Sequence, residues 1–360
     1  MKILLVNRRE NAETLWRYEI SDLRRASLGC RNFTLYRRTT RKHPLANSFN
    51  QLPVRVLAVI VLYKMLPNES VAFKTLRAAM SNVQRGKTDI KIVLYDNTPG
   101  GQDVEALPAD VKYQADVNNG GLSKAYNYSL EIAYENGFDW LLTLDQDTAL
   151  PVDFLCKLSD AIAFVAPLNA VAAIVPSVSS DGIVISPSIP LKSWAVWKHF
   201  PADFVGISME KMTLAVNSAS TFRVNALREI GGYDPRYWMD FSDILLYHRL
   251  HEKNFRVFVA GNIYVEHEAS VLDMKNRVSP DRYEKIDRAE EAFYDEYLGT
   301  KEGMVLFLRL LYRLVYKLWK ARVTLPYFKV GLIFLCRRIF WSRKRRLKNW
   351  KQSIKQESIV

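Results

Sequence analysis

Asp145-Gln146-Asp147 closes an apolar run, and its spacing is the first in the chain that suggests chemistry. Carboxylates at i and i+2 can reach one hard cation, and oxygen ligands suit Mg2+ or Mn2+ better than a softer metal. Such an ion keeps waters and binds a diphosphate as well. The same triplet also arises by chance on loops, so its weight comes from its place at a strand's end. Asp96-Asn97 ends another apolar run. A carboxylate there can accept the imide N–H of uracil or thymine, and a turn-forming Asp-Asn pair is the plain alternative. Asn119-Gly120-Gly121-Leu122 leads into Ser123 to Asn127. Paired glycines allow close backbone approach and the helix start can face a phosphate, although a loop-to-helix junction explains the glycines equally well. Asn127, one turn in, is less easily explained that way. Asp240 and Asp243 head a helical stretch, Ile244 to His251, where a carboxylate can act as general base or simply cap the helix. His267 follows an apolar run. As a neutral imidazole it could complete the cation site begun by the Asp pair, or serve the core. His248 and His251 read as surface residues of their helix.

These side chains need strands and helices to position them. Val54 to Leu62 is β-branched and almost continuously apolar, which predicts a strand buried on both faces. Pro67-Asn68-Glu69 offers a start for a helix over 70–83. Further strands are predicted at 90–95, 111–115 and 140–144, with a helix from Gly120-Gly121 to Asn136, stopped by Gly137. Alternating strands and helices imply a parallel α/β sheet with right-handed crossovers. Asp96, Asn119 and Asp145 then fall just past strand carboxyl ends, the edge where open α/β sheets bind ligands. Beyond about 171 the pattern is less regular, with short strands expected at 171–175, 256–259 and 263–266.

The chain has 360 residues, 51 of them Lys or Arg and 38 Asp or Glu, for a net charge of +13. Hydrophobic residues at 49% and charged residues at 25% exclude wholesale disorder. Cys30, Cys156 and Cys336 are far apart, which excludes a disulfide scaffold or a zinc ribbon and suits a reducing compartment. The charge is uneven: residues 1–50 carry +7, residues 304–360 carry +14, and the middle is left at −8. That argues against a nucleic-acid groove through the core and for an anionic surface met by the ends. The opening apolar run is too short for a signal peptide, and no stretch is long enough to span a bilayer. A cytoplasmic protein, or one peripheral on the inner membrane face, is expected. In 304–322, Arg309, Arg313, Lys317 and Lys320 form one helical stripe on an otherwise apolar body, and Arg343-Lys344-Arg345-Arg346 follows. The pattern predicts a helix lying in a headgroup layer, with a helix packed on the domain as the bland alternative.

Taken in order, these features resemble the inverting nucleotide-sugar glycosyltransferases of family 2, bacterial rhamnosyltransferases above all. The resemblance covers residues 54–270, about 60% of the chain. It rests on Val61-Leu62-Tyr63, on Asp96-Asn97, and on Asn119, Gly121, Leu122, Ala125 and Asn127 for Asn-x-Gly-Leu-x-x-Ala-x-Asn. Leu144 to Asp147 matches Leu-Asp-Gln-Asp, whose Asp-Gln-Asp is frequent in the rhamnosyl branch. Asn217 to Ser220, Gly231-Gly232-Tyr233-Asp234, Trp238 to Asp243 with Arg249, and the late His267 complete the set. Ser218-Ala219 replaces the frequent Ser-Gly, and Leu245 stands where a Glu often follows the second Asp. The base is therefore open between Asp243, favoured by its spacing to the late His, and Asp240.

What the resemblance implies is a GT-A fold over residues 51–303, a Rossmann-like nucleotide-binding sheet merged with an acceptor half. Residues 1–50 would be a basic extension and 304–360 a basic amphipathic membrane-surface segment. Tyr63, Asp96, Asn119, Gly121, Asn127 and Asp145 would meet a dTDP- or UDP-sugar, and Trp238 and Ser218 the acceptor, a glycan or lipid-linked glycan. Asp145, Asp147 and His267 would hold a divalent cation, Mg2+ or Mn2+, on the diphosphate, and Asp243 or Asp240 would be the base. Two other classes compete. A nucleotidyltransferase on a similar sheet calls for a Gly-rich, basic loop after the first strand, which Tyr63 to Pro67 is not. A polyanion-binding protein calls for aromatic-basic interleaving in the sheet, which is missing.

Overall fold

The chain divides into two units, Met1–Phe49 and Asn50–Val360. The computed structural model describes residues 54–82, 88–208, 212–268, 278–319 and 325–357, all in the second unit. The basic extension expected over 1–50 lies outside the described residues.

The first half alternates as expected: β1 (Val54–Leu62), α1 (Val71–Asn82), β2 (Thr88–Asp96), β3 (Val111–Ala115), α2 (Gly121–Glu135) and β4 (Trp140–Asp145). Then come α3 (Phe154–Val165), β5 (Val171–Ser180), β6 (Ile183–Ser186), β7 (Ser188–Leu191), β8 (Val196–His199) and β9 (Val205–Ile207). β10 (Ser220–Arg223), α4 (Val224–Glu229), α5 (Ser242–Glu252) and β11 (Arg256–Glu266) complete the sheet-forming part. Four helices follow: α6 (Pro280–Tyr297), α7 (Thr300–Trp319), α8 (Leu325–Phe340) and α9 (Arg343–Glu357). The main sheet runs β3-β2-β1-β4-β10-β5-β11-β9, with β6 on β5. β1 is parallel to β2 and β4, whereas β10 is antiparallel to both β4 and β5. The fold class is thus the α/β one expected, a parallel half merged with a mixed second half.

The run Val54 to Leu62 is apolar throughout because both faces are covered. Leu57, Val59 and Val61 pack into one core cluster and Val56, Ala58, Ile60 and Leu62 into the other. Each such side chain stabilises by about 1.5–3 kcal/mol when fully buried. The two strands expected at 256–259 and 263–266 are one, β11, whose register against β5 shifts between Ala260 and Tyr264. At Gly261 a Cβ would lie 2.4 Å from the Phe204 carbonyl oxygen, so the irregular stretch needs a residue without one.

The C-terminal helices belong to the same compact unit as the sheet. Their bases do not face outward in the way the stripe suggested. Asp287, Glu290, Glu291 and Asp295 on α6 are all buried and receive them. Arg313 pairs with Glu290 at 2.7 Å and Asp287 at 3.3 Å, and Arg309 with Glu290 at 3.2 Å. Arg337 meets Glu291 at 2.7 Å, while Arg338 (2.7 Å) and Arg346 (2.6 Å) converge on Asp295. The expectation of an Arg stripe on a headgroup layer is therefore corrected: a buried acidic helix offers Arg309 and Arg313 nearer counter-ions than a bilayer could. The side chains of Lys317 and Lys320 lie outside the described residues. No described helix is long and apolar enough to cross a membrane.

Candidate active site

Asp145 ends β4 and Asp147 follows in a turn. Gln146 anchors this turn by accepting the Tyr63 backbone N–H at 2.8 Å, and its carbonyl accepts from the Ser70 hydroxyl at 2.9 Å. His267 comes from far along the chain. A bridge between Ala149 and Glu266 lashes the end of β11 beside the turn, with Ala149 donating to the Glu266 carbonyl at 2.8 Å. His267 Nδ1 lies 3.1 Å from Asp147 Oδ1, and Nε2 lies 3.7 Å from Asp145 Oδ2. Burial alone would lower the His267 pKa, but the contact with Asp147 and the charges of both aspartates raise it overall. Burial raises Asp145, with His267 and the Tyr126 hydroxyl, 3.2 Å from its Oδ1, opposing.

Among the described residues no three such groups have closed around a common centre. The donor set nevertheless fits a divalent ion. Asp147 Oδ1 and His267 Nδ1 are buried, lack hydrogen-bonding geometry towards one another, and have no other partner. Two carboxylates and an imidazole are the donors that Mg2+ or Mn2+ accepts.

Asp240 and Asp243 stand at the head of α5, reached through Phe241, whose backbone is left-handed at φ 62°. An aromatic residue held there is strained by about 1–3 kcal/mol, and the strain lies between the two aspartates. Asp240 accepts from Arg282 at 2.8 Å. Asp243 Oδ1 accepts the Ile244 N–H at 2.7 Å, and no described cation pairs with it. Burial pushes both carboxyls up to about 6; Arg282 and Lys285 oppose this at Asp240, whereas Asp240 and Asp145 reinforce it at Asp243. Asp243 is thus close enough to the Asp145 cluster to feel its charge, and it is the less encumbered of the two.

The 119–127 segment works chiefly as a seam. Trp238 Nε1 donates to the Asn119 carbonyl at 3.0 Å, and the Ser123 hydroxyl donates to the Tyr237 carbonyl at 2.6 Å. Gly121 has φ 81°, and a Cβ there would lie 2.4 Å from the Trp238 carbonyl oxygen. Asn119 itself sits at φ 53°, with its side-chain oxygen buried and unpartnered beside the seam. Trp238, expected on the acceptor side, is pinned to the 119–127 segment and has the Lys285 ammonium 5.3 Å from its ring centre.

Three assignments change. Asn127 donates to the Tyr233 carbonyl and accepts the Tyr233 N–H, both at 2.8 Å, so its amide clamps the Gly231-Gly232-Tyr233 turn and is not left for a donor. Ser218 is fully buried against the Thr148 hydroxyl, not presented to an acceptor. Asp96 is also fully buried; its oxygens accept from the Thr98 N–H (2.9 Å) and the Tyr113 hydroxyl (2.5 Å), bracing the turn after β2. Tyr63, by contrast, is 42% exposed at the end of β1. His248 is buried against Phe293 and Tyr297 rather than at the surface. The sequence reasoning passed over Tyr126, Arg282 and Asp116. Asp116 follows β3, holds Lys124 at 2.8 Å and accepts from the Tyr95 hydroxyl at 2.8 Å. Its signal was the one used for Asp96: a carboxylate just past a strand's end.

No family model and no curated protein matches the chain. Among solved structures the chain is similar to GalNAc-T7 with UDP, GalNAc and Mn2+, at 16% identity over 68% of this chain and 49% of that one, with a TM-score of 0.47. It is similar to S. aureus TarS at 14% identity, covering 73% of this chain and 44% of that one, with a TM-score of 0.43. Residues 1–349 of S. aureus TarS in complex with UDP-GlcNAc align at 13% identity over 85% of this chain and 91% of that one, with a TM-score of 0.47. The chain therefore spans about half the length of GalNAc-T7 and less than half of the longer TarS chain.

Proposed function

We propose that the protein is an inverting glycosyltransferase that moves a sugar from a nucleotide diphosphate donor to a hydroxyl of a glycan or lipid-linked acceptor, in cell-surface polysaccharide synthesis at the cytoplasmic side of the membrane. Asp-Gln-Asp at 145–147 favours rhamnose, carried by dTDP or UDP. The single observation behind this reading is the convergence of Asp145, Asp147, His267 and Asp243, from three separate stretches of chain, at one sheet edge.

Asp145, Asp147 and His267 would hold a divalent ion, which when bound supplies positive charge to the departing nucleotide diphosphate. Tyr126 holds Asp145 in place through its hydroxyl. Exposed Tyr63 and the buried, unpartnered Asn119 Oδ1 would meet the donor. Asp243 takes the proton from the acceptor hydroxyl while that oxygen attacks the anomeric carbon opposite the leaving group. One displacement inverts the configuration. Asp240 is held by Arg282.

A panel of UDP-, dTDP- and GDP-sugars with Mn2+, read by thermal shift, tests the donor class, because a ligand that binds the folded state raises apparent stability. One pyrimidine sugar should stabilise the wild type and Asp243→Asn alike, and only the wild type should turn it over. Stabilisation by none of them, or turnover by Asp243→Asn, would refute the assignment.

A further inference from the structure

Among the described residues, α7 and α8 leave an apolar face uncovered. On α7, Leu306, Leu310 and Leu314 are buried, while Met304, Leu308, Leu311, Tyr312 and Val315 on the opposite side are exposed. On α8, Val330, Phe334 and Leu335 are buried, while Leu325, Leu332, Ile333, Ile339 and Phe340 are exposed, Phe340 at 75%. The α7 set recurs at three- and four-residue spacing, and the α8 set at chiefly seven- and eight-residue spacing with exposed Lys329 and half-buried Cys336 between, so each keeps to one side of its helix. The helices run antiparallel: Gly331 packs against Leu314, and Arg338 donates to the Gly303 carbonyl. Their arginines turn towards α6, so both exposed stripes belong to the side away from it. α9, which follows α8 directly and packs on α6, exposes Arg343, Lys344, Arg345, Lys348 and Lys351, and the sequence holds no acid between Glu302 and Glu357.

We infer that this α7–α8 face seats in one leaflet of an anionic bilayer, apolar stripes in the acyl boundary and the α9 cations among the headgroups. This goes beyond the transfer reaction and does not depend on it. Exposed apolar surface of this extent on a soluble chain marks an interaction site. The flanking charge selects the occupant. A second copy related by a two-fold axis would bring like cations together, whereas an anionic leaflet attracts them. A helix pair lying in the interface needs an apolar depth of about 5–10 Å, which one stripe of Leu, Ile and Phe supplies. The mode differs from adsorption through an arginine stripe. Binding comes mainly from apolar insertion, with the α9 cations adding affinity for acidic lipid.

The test is sedimentation of the full chain with phosphatidylcholine vesicles containing about one-third phosphatidylglycerol, and with vesicles lacking it. The wild type should bind the mixed vesicles, and acyl-chain bromination should quench the tryptophan that Phe340→Trp adds to the exposed face. Leu308→Glu with Ile333→Glu should weaken binding about tenfold or more at an unchanged melting temperature. Lys344→Gln with Lys348→Gln should weaken binding to the mixed vesicles alone. No binding by the wild type, no quenching on binding, or full binding by the Leu308/Ile333 variant would each overturn the inference. So would a dimer in solution that the same two substitutions dissociate. Phe340→Trp keeps an aromatic ring at an exposed position, so the quenching measurement decides even if the glutamates disturb folding.

Discussion

A carboxylate of ordinary pKa near 4 is a weak base at neutral pH, and burial is how a fold strengthens it. Asp243, pushed up to about 6 by burial and by its neighbours Asp240 and Asp145, is ionised at pH 7 yet basic enough to take a proton. kcat/KM should therefore fall below about pH 6 along a limb set by one group. The sign for stability is opposite to that of a paired aspartate. The folded pKa lies above the unfolded one, so the stabilising contribution is present below about pH 4 and lost as pH rises through 6. Asp243→Asn should thus abolish turnover and raise the melting point at pH 7.5 by about 1–2 kcal/mol of stability, with no gain at pH 4. Asp240→Asn should raise it in the same sense, because burial holds that carboxyl at about 6 even against the Arg282 charge. Calorimetry at the two pH values checks both; a lowered melting point for Asp243→Asn with intact turnover would contradict them.

At the scale of elements, the site is held by a seam between α2 and the stretch from Tyr233 to Trp238. Gly121→Ala meets that seam twice, through its φ of 81° and through the Trp238 backbone 2.4 Å from a new Cβ. It should destabilise the protein by about 1–3 kcal/mol and weaken transfer at the same time, measured by urea unfolding and initial rates. An unchanged rate would separate the seam from the site. β1, β4 and most of β2 were legible because they are apolar on both faces, and Asp145, Asp147, His267 and Asp243 because they interrupt or follow apolar runs. The job of Asn127 was not legible. A polar residue one turn into a helix looks the same whether it meets a ligand or clamps Tyr233 from 106 residues away. β10 escaped notice for a related reason: Ser220-Thr221-Phe222-Arg223 is short and polar, and its burial depends on neighbours distant in sequence.

At the scale of the whole molecule, the acidic middle and the basic C-terminus are largely one feature. Part of the acidic excess is α6, whose carboxylates take up Arg309, Arg313, Arg337, Arg338 and Arg346. Sequence alone weighed these charges against outside partners because pairing is a property of the packed chain. Asp295→Ala would leave Arg338 and Arg346 buried without their shared carboxylate and should lower stability by about 3–5 kcal/mol. Urea unfolding checks this, and an unchanged midpoint would show the layer to be dispensable. The placement of the donor is tested most directly by calorimetric titration of UDP or dTDP into wild type and Asp145→Ala, with and without Mn2+. A heat of binding that needs Mn2+ in the wild type and vanishes in the well-folded variant is the predicted result. Equal binding by both proteins, or binding indifferent to Mn2+, would contradict it.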